Sequence, residues 1–213
     1  MSLLRIKDYK EGVDNMRKVI VWFIALFLTL SLCGCTTRQL TIEQSKENFP
    51  VYESELKEVA NDYNLELIEI EDDNIQDLDD NEVAEKTFNI IVTKDDTEIE
   101  IVLKNNALNS STKGRESFQV NYVTHSSFDV SLFVNLVNCV SGKEITEDFC
   151  KEFLEAPEEK YSAEDRGFQK PSEGVIAKEY PLNFFEDWVI SYYFYPESRQ
   201  ELSFGGLTKQ LDD

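Results

Sequence analysis

From Phe88 to Leu103 the sequence alternates with a period of two. Phe88, Ile90 and Val92 stand against Asn89, and Ile99, Ile101 and Leu103 stand against Glu98 and Glu100. Successive side chains of a strand point to opposite faces, so each segment builds a strand with one dry face and one wet face. Lys94-Asp95-Asp96-Thr97 turns the chain between them, which makes the pair an antiparallel hairpin.

Other segments extend this reading. Leu65 to Ile70 alternates apolar and acidic residues as a short strand, and Phe118, Val120 and Tyr122 mark another. Three more strand patterns run over Val175 to Tyr180, Trp188 to Tyr195 and Glu201 to Leu207, with Gly205-Gly206 as a bulge or bend in the last. Helical spacing appears first in Glu53 to Tyr63, where Leu56, Val59, Ala60 and Tyr63 share a side. Phe128 to Val140 is a second helix, capped by Ser127. Its narrow polar stripe of Ser131, Asn135 and Asn138 predicts that most of its surface is buried. Gly142 ends that helix, Thr146-Glu147-Asp148 opens a third with acids in its first turn, and Pro157 closes it. Helices grouped between runs of antiparallel strands indicate an α+β fold: antiparallel sheet packed on a few helices, including an αα-hairpin. The order helix-then-strands occurs twice, as in a diverged repeat, but no residue-level self-similarity accompanies it.

Of 213 residues, 42 are Asp or Glu and 21 are Lys or Arg, for a net charge of −21. Nucleic acid is excluded as a partner, because phosphate binding needs a basic face to displace counterions. A hydrophobic fraction of 41% with 12% aromatics is too rich for a disordered acidic tail, so the chain folds.

The N-terminal region reads as an address. Val19 to Leu32 is uncharged and apolar, with Met16-Arg17-Lys18 before it and Cys33-Gly34-Cys35 after it. A basic start, a short apolar run and small residues at a cleavage point are the layout of a signal peptide, and the run is short of the ~20 residues that a spanning helix prefers. Leu32-Cys33-Gly34-Cys35 resembles the lipobox of bacterial lipoprotein precursors, with Leu three residues before the modified Cys and Gly immediately before it. The resemblance covers the first 35 residues. It implies diacylglyceryl transfer to Cys35, cleavage after Gly34 and lipid anchoring on the outer face of a membrane, since two or more acyl chains hold stably where one does not. Met16 opens a conventional signal and is the expected start of translation, with Lys10-Glu11-Gly12 as the trace of a purine-rich ribosome-binding sequence. Removal of residues 1 to 34 leaves 179 residues with 16 basic and 39 acidic side chains, net −23. Such a surface is held off anionic lipid and wall polymers, which leaves the lipid as the anchor. The expected organisation is a signal peptide over 1–34, a lipidated N-terminus and flexible tether over 35–48, and an extracytoplasmic α+β domain over 49–213.

Candidate chemistry in that domain is sparse. Cys139 and Cys150 sit at similar distances from the turn of the predicted αα-hairpin. They form either a disulfide, worth ~3 kcal/mol in the chain-entropy model, or two buried free thiols acting as small hydrophobes. His125 is the single histidine, in Thr124-His125-Ser126-Ser127, between a strand and a helix cap where polar residues are ordinary. One His and two Cys at helical positions lack the ligand spacing of a zinc site. The acidic stretch Glu69 to Glu82 places Asp77, Asp79 and Asn81 in alternation, as in a calcium loop. The turn Gly is replaced by Val83 and the bidentate Glu by Phe88, which favours a solvated acidic loop. No Gly-rich phosphate loop is present and no cofactor is implied.

The aromatic stretch Trp188 to Tyr195 is the most distinctive. Alternation puts Trp188, Ile190, Tyr192 and Phe194 on one face, and Ser191, Tyr193 and Tyr195 on the other. Tyr193 and Tyr195 are then the candidate binding surface, unless a helix covers that face too. The resulting expectation is a membrane-anchored lipoprotein without catalytic activity that binds a protein or small ligand at the cell envelope. Alternatives are an envelope hydrolase using carboxylates or His125, and a structural component of an envelope assembly.

Overall fold

The computed structural model describes residues 39–70, 84–92, 97–107, 113–162, 174–181 and 187–211, all within one compact unit. Strand β1 (Gln39–Leu40) leads into α1 (Ile42–Asp62). Thr41 and Gln44 form a capping box: the Gln44 amide donates to Thr41 Oγ1 at 3.2 Å, and the Thr41 amide donates to Gln44 Oε1 at 2.9 Å. From there Ile42, Ser45, Phe49, Tyr52, Leu56 and Ala60 recur three or four residues apart and are all buried. Residues 39–48 are therefore folded, where a tether was expected. The polar residues there hid a helical stripe as regular as the one that follows, and Pro50 lies inside the helix rather than at its start.

The remaining strands are β2 (Leu67–Ile70), β3 (Ala84–Val92), β4 (Thr97–Asn105), β5 (Gly114–Thr124), β6 (Ile176–Tyr180), β7 (Trp188–Phe194) and β8 (Gln200–Leu207). All pairs are antiparallel, in the order β2-β3-β4-β5-β8-β7-β6, with β1 pairing with β5. The hairpin read from the sequence is β3–β4, with Phe88 opposite Ile101 and Ile90 opposite Ile99. Two meanders, β2 to β5 and β6 to β8, meet where their last strands pair. Each follows a helical segment, so the helix-then-strands order is doubled in the topology as well.

Between the meanders lies the αα-hairpin, α2 (Val130–Val140) and α3 (Glu147–Glu155). Asp129 caps α2 by accepting from the Leu132 amide at 3.0 Å, so the helix starts two residues later than the expected Ser127 cap. A carboxylate is at least as good an N-cap as a hydroxyl. The three helices pack on one face of the sheet. Phe204 in β8 lies at the centre, stacked at 5.8 Å on Phe118 and at 5.5 Å on Trp188. The pairing of β8 with both neighbours is continuous, so Gly205-Gly206 forms no bulge. A Cβ on Gly206 would lie 3.1 Å from Trp188 Cβ, and the glycine lets that indole close onto the core.

Two buried polar clusters fix the helices. Glu116 accepts from Tyr52 Oη at 2.9 Å and from Thr208 Oγ1 at 2.8 Å, and Tyr52 Oη also lies 2.9 Å from the Lys209 carbonyl. Lys178 is 2% exposed, and its Nζ donates to the carbonyls of Phe153, Leu154 and Ala156 at 2.8, 2.6 and 3.1 Å. Those oxygens lie at the C-terminal end of α3, where a cation suits the helix dipole. The rings of Tyr192 and Phe153 stand 4.8 and 5.5 Å from the same nitrogen. Burial pushes the Lys178 pKa down, and Glu158 opposes this.

Candidate binding face

The face of the sheet away from the helices is built from the alternate residues of the same strands. Partners across β4, β5, β8 and β7 run Glu98, Val123, Glu201 and Tyr193 in one row. The next row is Glu100, Asn121, Ser203 and Ser191. At about 4.8 Å per strand, the first row spans roughly 14 Å from Glu98 to Tyr193. Glu98, Glu100, Asn121, Val123 and Glu201 line a shallow depression of about 210 Å³. Asn121 Nδ2 donates to Glu100 at 3.0 Å, and Asn89 Nδ2 donates to Glu98 at 3.2 Å.

Tyr193 and Tyr195 stand beside this depression. Both are half-buried, and their ring centroids are 6.5 Å apart. Tyr195 Oη donates to Glu201 at 3.5 Å, and the Arg199 guanidinium lies over the Tyr195 ring at 5.4 Å, reaching Glu201 at 3.8 Å. Burial raises both tyrosine pKa values, and Glu201 adds to the rise in each. They stay neutral O–H donors at physiological pH. Together the residues offer aromatic surface, hydroxyl donors and carboxylate acceptors side by side. On the opposite face Trp188, Ile190 and Tyr192 point to the helices, where Tyr192 packs against Phe128 at 6.1 Å. The sequence reading singled out the two tyrosines and missed the acids that flank them. Their signal was present, since Glu98 and Glu100 occupy the wet positions of the first hairpin.

The other candidate residues lie apart. His125 is exposed in the turn after β5. A larger cavity of about 610 Å³ is nearby, but Ser126, Ser127, Asp129 and Glu147 line it and His125 does not. A hydrolase centre on His125 needs its imidazole facing a Ser and an acid across one pocket, and this arrangement does not supply it. Cys139 and Cys150 are separate thiols in the structure. Cys139 Sγ donates to the Leu136 carbonyl at 3.1 Å and feels the charges of Glu55 and Lys209, whereas Cys150 is fully buried on α3 beside Lys151 and Glu147. Equal distances from a turn did not bring the two side chains together, because they face different neighbours. Burial pushes each thiol pKa up to about 12. Among the described residues no group of three or more His, Cys, Asp or Glu side chains is arranged to hold a metal ion. Cys35, the signal segment and the calcium-like positions Asp77, Asp79 and Asn81 lie outside the described residues.

Comparison with protein-family models, with curated proteins and with solved structures finds no match to this chain.

Proposed function

We propose that this chain is a lipoprotein held on the extracytoplasmic face of a bacterial cell membrane by a lipid on Cys35. Its α+β domain is a non-catalytic module that binds a protein or small ligand at the cell envelope. The address rests on the apolar run Val19 to Leu32 and on Leu32-Cys33-Gly34-Cys35, which has the form of a lipobox. Among the described residues no helix is long and apolar enough to cross a membrane. In this reading the lipid carries the attachment.

The observation behind the binding role is the sheet face that no described helix covers, where Tyr193 and Tyr195 stand beside Glu201 and the adjoining depression. Paired tyrosines suit a surface that must be apolar at one end and wet at the other, and such residues dominate binding energy at interfaces. Two experiments test the proposal. Metabolic labelling with a palmitate analogue is expected to mark the wild type and the Cys33→Ser variant and to vanish in Cys35→Ser. Label retained by Cys35→Ser contradicts the address. Replacing Tyr193 and Tyr195 together by Ser is expected to weaken partner capture by ~tenfold or more with a modest change in stability. A large loss of stability with capture unchanged in the folded fraction would place those rings in the core and overturn the site.

A further inference from the structure

The cavity of about 610 Å³ lies on the other side of the sheet, where the N-terminal ends of α2 and α3 approach the ends of β4 and β5. It is an open recess rather than an enclosed pocket, and its volume falls within the range of about 300–1,000 Å³ typical of small-molecule sites. Thr97 and Tyr122, 6% and 4% exposed, contribute the deep part of the lining. The rings of Tyr122 and Phe128 meet edge to face at 5.2 Å and give it apolar surface.

Counting hydrogens identifies a donor pointing out of the protein's own network. The hydroxyls of Thr97, Thr124 and Ser126 form a chain, with oxygen separations of 2.8 and 3.2 Å. Three hydroxyl hydrogens serve two contacts, so one is left over. Thr124 Oγ1 already accepts from the Ser126 amide at 3.1 Å. With two lone pairs it accepts one further hydrogen, so it must donate to one neighbour and receive from the other. The spare hydrogen therefore sits on Thr97 or on Ser126. Both line the cavity, and Thr124 does not.

The charges around the cavity select against anions. Asp129 and Glu147 oppose one, and the Lys151 ammonium, 2.7 Å from Glu147, offsets only one of the two carboxylates. The Leu132 amide uses one acceptor position on the Asp129 carboxylate, which has about four in all. What fits is a ligand without negative charge whose groups both accept from the spare hydroxyl and donate to a carboxylate, with C–H surface for the two rings. Hydroxyls on a ring have these properties.

We propose that this cavity is a second binding site, taking a neutral, hydroxyl-rich ring of the saccharide class. It is built from different residues than the tyrosine face, and either site stands if the other fails.

The test is a titration of the full-length protein in detergent micelles with N-acetylglucosamine, chitobiose and cellobiose, read by ligand-observed saturation-transfer NMR. Saturable binding of at least one of them is expected. Thr97→Val combined with Ser126→Ala removes both hydroxyls that can carry the spare hydrogen, and Ser127→Trp fills the cavity from an exposed position without touching the core. Each is expected to weaken binding by ~tenfold or more, whereas replacing Tyr193 and Tyr195 by Ser leaves it unchanged. No saturable binding from any of the three sugars overturns the proposal, as does binding that survives Ser127→Trp. Tighter binding of inorganic phosphate or of tetramethylammonium than of any sugar overturns the neutral class.

Discussion

On β5, Phe118, Val120 and Tyr122 are buried beneath the helices, while Ser117, Gln119, Asn121 and Val123 on the reverse side remain partly or fully exposed. The same contrast runs along β4, where Ile99, Ile101 and Leu103 are buried and Glu98, Glu100, Val102 and Lys104 are not. One backbone thus serves two purposes, divided by the two-residue period of a strand. The covered face carries stability, through stacked rings and fully enclosed aliphatic groups. The reverse face contributes little to holding the fold together, which leaves its residues free for recognition.

Substitutions at matched positions sharpen the division. Phe204→Ala empties the centre of the aromatic stack, where the side chain is fully enclosed. It is expected to cost about 3–5 kcal/mol in urea unfolding, as large-to-small changes of core aromatics do. Lys178→Met comes next. It removes the ammonium that serves three carbonyls at the end of α3, and leaving those oxygens without a donor costs roughly 1–3 kcal/mol. Part of this is returned by sparing the buried charge its desolvation, so the loss should lie at the lower end. A loss as large as that of Phe204→Ala would mean that the lysine, rather than the aromatic stack, organises the covered face.

The thiols give a pH-dependent version of the same contrast. Their folded pKa values of about 12 lie above the ordinary 9.0, so the folded state keeps protons that the unfolded chain releases. Their stabilising contribution is complete below pH 9 and is lost as pH rises towards 12. Unfolding midpoints of the wild type should fall over that window, and replacing both Cys139 and Cys150 by Ala should flatten the fall. Ellman's reagent should react slowly with the native protein and rapidly in denaturant. A protein with no titratable thiol even when unfolded would instead carry the bridge. The smallest effect is expected on the reverse face, where Gln119→Ala and Asn121→Ala should each change stability by less than ~0.5 kcal/mol.

Much of this division was legible in the sequence. Alternation found the β3–β4 hairpin, although β3 begins four residues before the expected Phe88, and it placed the last three strands to within a residue. It also assigned Tyr192 and Tyr193 to opposite faces, because period two is a local property. What failed depended on neighbours distant in sequence. The first seven residues of α1 looked like a tether because their apolar residues are sparse, and Thr41–Gln44 was the overlooked start signal. Nothing in the sequence marks Lys178 as buried, and only the end of α3 explains it. The cysteines matched in spacing, and the structure leaves them as separate thiols. Of the candidate site, the tyrosines were visible as a run, but the row Glu98–Val123–Glu201–Tyr193 exists only because β5 pairs with β8 across the two meanders.

The most direct test of the account is site-specific photocrosslinking on intact cells that display the full-length protein. A photoreactive residue is placed at Val123 on the reverse face, at Tyr193 beside the depression, and at the exposed Glu58 on α1. The account predicts discrete, saturable adducts from positions 123 and 193 and none from 58. Adducts from position 58 alone, or equally from all three, would contradict the assignment of recognition to the reverse face.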